Sequence, residues 1–326
     1  MIAGLCSCTV IFMKVIEHID KSRESLFSYE IVPPARGRSV KDIIEVVEKL
    51  APLNPSWIDV TSHSSVANFN EKEDGTIQRR VLKKRPGTLG ICGIIQNRFK
   101  IDTVAHILCL GFTREETEDA LIELGFLGIH NLLALRGDSL NYQKEIRRDR
   151  TKNEYASDLV VQVKDMGAGK FLDELDACES LDFGIGVAGY PEKHLEAASL
   201  KLDIMNLKKK VEAGADYIVT QMFFDNAKYF EFVKSCRDAG ITVPIVPGLK
   251  ILRSAAQLKT LPKVFNIDLP DALVEEVTAT PSHAAEIGKR WAKKQVEELL
   301  NAKVPSAHFY VLNDADMVSE VVRSFR

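Results

Sequence analysis

Ile129-His130-Asn131-Leu132-Leu133-Ala134-Leu135-Arg136-Gly137-Asp138 is the stretch on which the reading of this chain turns. It opens as a short apolar run, long enough for a strand whose two faces are both covered, as in buried parallel sheets. It ends abruptly in a cation, a glycine and a carboxylate. Charges at the exit of a buried strand contribute nothing to a core, so they are expected to face a ligand.

Working outward, the same pattern recurs. Strands are expected at residues 27–32, 57–61, 90–93, 104–109, 182–189, 217–221, 243–248 and 307–312. Helices alternate with them. Ser39 with Asp42 and Thr113 with Glu116 have capping-box spacing. Val40, Ile43, Ile44, Val47 and Leu50 recur at helical spacing, as do Leu200, Ile204, Leu207 and Val211. Residues 155–166 read as a helix and residues 139–151 as a charged loop. About eight strands alternating with helices imply a parallel sheet, and that number in one chain favours a single-domain (β/α)8 TIM barrel over an open sheet. The expected barrel runs over residues 14–326. Residues 1–13 are expected to be a disordered or mis-assigned extension, with Met13 as the true start.

Composition narrows the function. The 326 residues are 45% hydrophobic and 27% charged, with a net charge of −3. A pI near 6.2 supplies no general basic field, so nucleic acid is not an expected partner. No run reaches the roughly 18–20 apolar residues of a membrane span. Six scattered cysteines lack C-x2-C spacing, which argues against a zinc site or a disulfide framework and fits a reducing cytoplasm. No metal is expected.

In barrels of this class the chemistry sits at the C-terminal ends of the strands. Reading those positions gives Glu30, Thr61, His106, Arg136 with Asp138, Tyr190, Gln221, Gly248 and Tyr310. Each has a plain structural reading: a solvated carboxylate for Glu30, a satisfied core histidine for His106, an internal pair for Arg136 and Asp138. Their coincidence at one rim is what points to a site. On the helix after residue 199, Asp203, Asn206 and Lys210 share a flank at about 100° per residue. The neighbouring Lys208-Lys209-Lys210 could answer a phosphate by charge. Gly184-Ile185-Gly186-Val187-Ala188-Gly189 matches G-x-G-x-x-G, but its glycines lie within a strand rather than in the turn that opens a helix, so it is discounted as a dinucleotide fingerprint.

From Val15 onward the chain resembles the methylenetetrahydrofolate reductase family in its bacterial-type catalytic barrel. The resemblance is carried by Tyr29-Glu30-Ile31-Val32-Pro33-Pro34, Asp59-Val60-Thr61, Leu135-Arg136-Gly137-Asp138, Tyr155-Ala156-Ser157-Asp158-Leu159, Tyr190-Pro191-Glu192-Lys193-His194, Asp203-Ile204-Met205-Asn206-Leu207-Lys208, Thr220-Gln221-Met222-Phe223-Phe224-Asp225, Val246-Pro247-Gly248 and His308-Phe309-Tyr310-Val311-Leu312-Asn313. It implies a barrel that carries FAD and uses NADH or NADPH to reduce 5,10-methylenetetrahydrofolate to 5-methyltetrahydrofolate in two stages. That places the chain in one-carbon metabolism and methionine synthesis, as a cytoplasmic homo-oligomer. Glu30 is then the general acid, and Asp138 stabilises charge beside flavin and pterin. Thr61, Ser62, His106, Arg136, Gly137, Asp138, Tyr155, Ala156, Tyr190, His194, Asp203, Asn206, Lys209 and Lys210 are implied to hold FAD. Glu30, Asp138, Gln221 and Tyr310 are implied to hold the folate.

Three positions depart from the family pattern: Ser62 stands where an aromatic is usual, Asp314 where an arginine is common, and Ala255 where an aromatic is expected. Two other classes remain to be weighed, a Schiff-base aldolase using Lys250 and a pterin-binding methyl-transfer barrel.

Overall fold

The structure is a computed structural model that describes residues 12–82, 85, 87–137, 150–175, 179–312 and 314–326. A short helix, α1 (Val15–Lys21), precedes β1 (Leu26–Ile31), α2 (Val40–Leu50) and β2 (Trp57–Val60). A hairpin of β3 (Val66–Glu71) and β4 (Ile77–Leu82) follows. Then come α3 (Thr88–Phe99), β5 (Thr103–Leu108), α4 (Arg114–Phe126), β6 (Asn131–Leu135) and α5 (Ala156–Gly167). β7 (Gly184–Gly189), α6 (Leu200–Glu212), β8 (Tyr217–Met222), α7 (Asn226–Asp238) and β9 (Ile245–Leu249) continue the alternation. The chain closes with α8 (Gln257–Phe265), α9 (Asp271–Ala279), α10 (Ala284–Asn301), β10 (Ser306–Leu312) and α11 (Ala315–Val322).

Eight parallel strands close into a barrel in the order β1-β10-β9-β8-β7-β6-β5-β2, with β1 also paired to β2. This is the expected (β/α)8 barrel. Both capping boxes form: Ser39 Oγ accepts from Lys41 N at 3.1 Å, and Thr113 Oγ1 accepts from Glu116 N at 3.1 Å. Such caps satisfy helix-end N–H groups that have no partner within the helix.

One expected strand is overturned. Residues 90–93 lie inside α3, where Ile91, Cys92 and Ile95 are buried against the barrel wall. A four-residue apolar run fits a buried helix segment as well as a strand, and here the helix wins. The β3–β4 ribbon had no counterpart in the sequence reading. Most of its described side chains are exposed, Phe69, Ile77 and Val81 among them, so neither run has a buried face to announce it.

Alternation along the strands separates two layers. Phe27, Tyr29, Ile31, Ile58, Val60, Ala105, Ile107, Phe309 and Val311 join the main core between strands and helices. A separate cluster of Val15, Trp57, Val104, Leu133, Tyr217, Val219 and Val246 fills the barrel toward its base. There α1 acts as a plug. Met13 N donates to Asp102 Oδ1 at 3.0 Å, Val15 N to Asn131 Oδ1 at 2.8 Å, and His18 Nε2 meets Asp102 Oδ2 at 2.7 Å. Of the expected N-terminal extension, residues 1–11 lie outside the described residues, while Met13 is anchored to the barrel.

The discounted glycine motif acquires a packing role. A Cβ on Gly186 would stand 2.5 Å from the Tyr217 ring and 2.8 Å from Leu133. The missing side chain is what admits the tyrosine to the barrel interior. Gly186→Ala is therefore expected to cost about 1–3 kcal/mol through overpacking. Its urea midpoint should fall, whereas an unchanged midpoint would show that the barrel centre repacks freely.

Candidate functional site

The polar face of the barrel interior is assembled by strand parity. Glu30 in β1, His106 in β5 and Tyr310 in β10 stand at the expected rim positions, and the structure adds Asp59 and His308 beside them. His106 Nε2 lies 3.5 Å from Glu30 Oε2 and 3.4 Å from Asp59 Oδ2. His308 Nδ1 is 3.9 Å from Asp59 Oδ1 and hydrogen-bonds Ser28 Oγ at 2.9 Å. All of these side chains except Tyr310, which is half-buried, are buried.

Burial disfavours a carboxylate more than a carboxylic acid. It raises Glu30 to about 7, with Asp59 adding to the rise and His106 and Lys250 opposing it. His106 feels the reverse pressure. Burial pulls it down, but the hydrogen bond to Asp59 and the charges of Glu30 and Asp59 outweigh that and leave it above the ordinary imidazole value. His308, which has only the Asp59 charge to offset its burial and the His106 cation against it, falls below that value. A carboxyl that half-titrates near neutrality can donate a proton at physiological pH, which an ordinary glutamate cannot.

A cleft of about 460 Å3 opens beside this cluster at the ends of β6 and β7. Arg136, Tyr155, Ala156, Tyr190, His194, Asp203, Asn206, Lys209 and Lys210 all line it. Nine of the residues implied for the cofactor thus share one wall. Lys210 Nζ donates to Ala188 O at 3.0 Å and lies 6.0 Å from the Tyr190 ring centre. Burial lowers Lys210 to about 8 against the pull of Asp203. Asp203 Oδ2 accepts from His194 N at 2.8 Å, and Lys209 Nζ approaches Asn206 Oδ1 at 3.5 Å. The N-terminus of α5 enters the cleft at Tyr155 and Ala156, adding the positive end of a helix dipole. Lys208 instead turns to Glu212, at 3.8 Å.

The remaining positions fall elsewhere. Thr61 follows β2, and its buried hydroxyl has no hydrogen-bond partner among the described residues. Ser62 and His106 border a smaller cavity of about 60 Å3 with Phe112 and Thr117. Gln221 lies in β8 with Oε1 accepting from Met222 N at 2.9 Å, and Tyr310 Oη donates to Thr220 O at 2.6 Å. Gly248 N donates to Thr220 Oγ1 at 2.9 Å. Gly137 has φ +90°, a backbone shape that favours glycine, and the nearest atoms to a Cβ there, among the described residues, belong to Leu110 and Leu108 at 3.5 Å or more. Conformation alone therefore accounts for that glycine. Asp138 lies outside the described residues. Arg136 has another partner in any case: its guanidinium meets Glu196 Oε1 at 2.5 Å.

Three participants escaped the sequence reading. Asp59 and His308 lie within family-like segments, and their strand parity with Trp57 and Tyr310 marks them as inward-facing. Glu196 carried no such signal, because it sits in the irregular segment before α6. Lys250, the aldolase candidate, is buried, donates to Tyr310 O at 3.1 Å and pairs with Asp314 at 3.0 Å. An amine so engaged is not presented to a carbonyl substrate. Among the described residues no group of acids, histidines and cysteines could hold a metal ion, and no helix is long and apolar enough to cross a membrane.

Comparison with known proteins agrees with this geometry. Residues 14–326 match the family described as methylenetetrahydrofolate reductase. The chain is 30% identical over 294 residues to the 5,10-methylenetetrahydrofolate reductase of Escherichia coli K12, covering 89% of this chain and 87% of that one. It is 32% identical over 323 residues to methylenetetrahydrofolate reductase (NADH) 1 of Zea mays, covering 92% of this chain and 49% of the plant protein. A probable methylenetetrahydrofolate reductase (NADPH) of Caenorhabditis elegans is 28% identical, with 95% of this chain and 43% of that protein covered. The chain thus spans about half the length of its plant and worm relatives. Among solved structures, a Clostridium thermocellum protein described as binding two copies of 5-methyl-5,6,7,8-tetrahydrofolic acid superposes with a TM-score of 0.60 at 13% identity, covering 95% of this chain and 98% of that one, a likeness of fold alone. Since the family match runs through the whole barrel, from the plug that closes its base to the last helix, the chain belongs to the methylenetetrahydrofolate reductase family.

Proposed function

We propose that this chain reduces 5,10-methylenetetrahydrofolate to 5-methyltetrahydrofolate with NADH or NADPH, in two stages and with FAD as cofactor. The reading includes a cytoplasmic homo-oligomer serving one-carbon metabolism and methionine synthesis. The observation that carries it is Glu30, a carboxyl withdrawn from water and raised to about 7 at the exit of β1.

The cleft suits FAD by its chemistry. A diphosphate needs cations and helix-end N–H groups, which Arg136, Lys209, Lys210 and the start of α5 can supply. Hydroxyl groups of the ribityl chain and ribose need mixed donors and acceptors, as Asp203, Asn206 and His194 offer. The unpartnered Thr61 hydroxyl is a further buried donor that a ligand would satisfy. When bound, FAD supplies the redox chemistry, taking a hydride from the nucleotide and passing it to the folate.

Everything else falls to the chain. The imidazolidine ring of the substrate opens only when N10 leaves, and a departing amine needs a proton. Glu30 provides it from a position where water does not compete. His106 and Asp59 brace that carboxyl from the interior, and their charges set how readily it gives up its proton. Asp138 is proposed to stabilise the cationic carbon that results. The Gln221 amide can serve a donor and an acceptor on the pterin edge, with Tyr310 beside it. Ser62 and Ala255 leave space where other members carry aromatic rings.

Glu30→Gln is expected to keep flavin absorbance and its bleaching by nucleotide, and to lower folate reduction by about 10²–10⁴-fold. Folate reduction at the wild-type rate would sink the general-acid assignment. The pH dependence has a definite sign. Glu30 acts when protonated, so folate reduction should decline as pH rises through about 7, roughly tenfold per unit beyond it, while nucleotide-driven bleaching should lack that limb. A folate-reduction profile flat from about pH 6 to 9 would remove Glu30 from the proton step.

A further inference from the structure

Asp314, just beyond β10, is a buried carboxylate that serves two cations. Its Oδ2 accepts from Lys250 Nζ at 3.0 Å and its Oδ1 from the Arg253 guanidinium at 2.9 Å. The Lys250 side chain is 1% exposed and that of Asp314 9%, whereas Arg253 is 53% exposed. Two cations on one anion leave one net positive charge, and only Arg253 presents it to solvent. Its backbone is also tied down, Arg253 N donating to Gln257 Oε1 at 2.7 Å. Lys250 and Arg253 follow β9 directly, so the triad stands at the C-terminal ends of β9 and β10. The Lys250 ammonium is close enough to oppose the rise of Glu30, and it donates to the Tyr310 carbonyl at 3.1 Å.

A guanidinium is a planar fork that matches a carboxylate with two parallel N–H bonds. Holding Nη1 of the fork on Asp314 limits the rotamer freedom that an incoming anion would otherwise have to freeze. We propose that Arg253 docks a carboxylate of the substrate's glutamate tail, with Asp314 as the positioning residue that aims it. The proposal rests on the reductase reading, which puts a folate over Glu30. It adds the group that tells a folate from a bare pterin. The attraction is between a fixed exposed cation and a mobile dianion, so it acts on binding and leaves the proton and hydride steps alone.

The test compares the intact protein with its Arg253→Gln and Arg253→Lys variants on two substrates, 5,10-methylenetetrahydrofolate and the tail-less 5,10-methylenetetrahydropteroate. Arg253→Gln should raise KM for the folate about tenfold with kcat within about twofold, and leave KM for the pteroate unchanged. Arg253→Lys, which keeps the charge and loses the fork, should fall between. A folate KM within about twofold of wild type, or equal rises for both substrates, overturns the docking role. Should the glutamine variant fold poorly, the wild type decides. Its folate KM must rise with salt more steeply than its pteroate KM, and parallel salt dependence overturns the proposal. A wild-type protein that is bleached by nucleotide yet reduces neither substrate overturns the reductase reading itself, and the docking role with it.

Discussion

A carboxyl group kept out of water is the constraint on which this molecule depends. An ionised glutamate inside a protein is costly, and the cost is met either by a counter-ion or by a proton. The barrel offers Glu30 both, in measured opposition. Burial and Asp59 favour the proton, and His106 and Lys250 favour the charge. Neither side wins outright, and the group stays poised near neutrality. The interior of a (β/α)8 barrel is usually filled by layers of branched apolar side chains. Here Trp57, Val104, Leu133 and Tyr217 keep that character toward the base, and Ser28, Asp59, His106 and His308 replace it higher up. The apolar floor is what makes the polar storey above it so sensitive to charge.

The cleft beside this cluster follows a different logic. Its polar groups are only partly covered and are already engaged: the Arg136 guanidinium with Glu196, the Lys210 ammonium with the Ala188 carbonyl, and the Asp203 carboxylate with the backbone N–H of His194. Partners of this kind hold side chains in place at modest cost, because exposed ion pairs are worth little in water. They can be exchanged for an anionic ligand without leaving a buried charge alone. The two halves of the site thus differ in rigidity. The acid is locked by packing, and the cleft is held by contacts that a ligand can replace.

How much of this was legible in the sequence depends on the signal each element emits. Strands covered on both faces, such as Leu132-Leu133-Ala134-Leu135, announce themselves, and eight of them specify the barrel. Gly90-Ile91-Cys92-Gly93 emitted the same short apolar signal from within α3, because four residues are too few to show a period. The β3–β4 ribbon emitted none, since its apolar residues, Phe69, Ile77 and Val81 among them, stay exposed instead of marking a buried face. At the site, Glu30, His106 and Tyr310 were legible by position along their strands. Asp59 and His308 were visible as letters, but their meaning lies in which face of the strand they occupy and in what stands across the barrel. The Lys250–Asp314–Arg253 arrangement joins residues about sixty positions apart in sequence, and only the closure of the barrel brings them together.

The plug at the base has a consequence for traffic. With Val15 and Ile19 packed into the apolar cluster that holds Trp57, and Asp102 and Asn131 gripping the backbone before and within α1, the barrel is stoppered at one end. Glu30 stands toward the other end, where the strands leave the barrel. Under the proposed reaction two large ligands need access to that same mouth, and a mouth shared by both serves them by turns. Alternation of nucleotide and folate would then be a matter of architecture before it is one of kinetics.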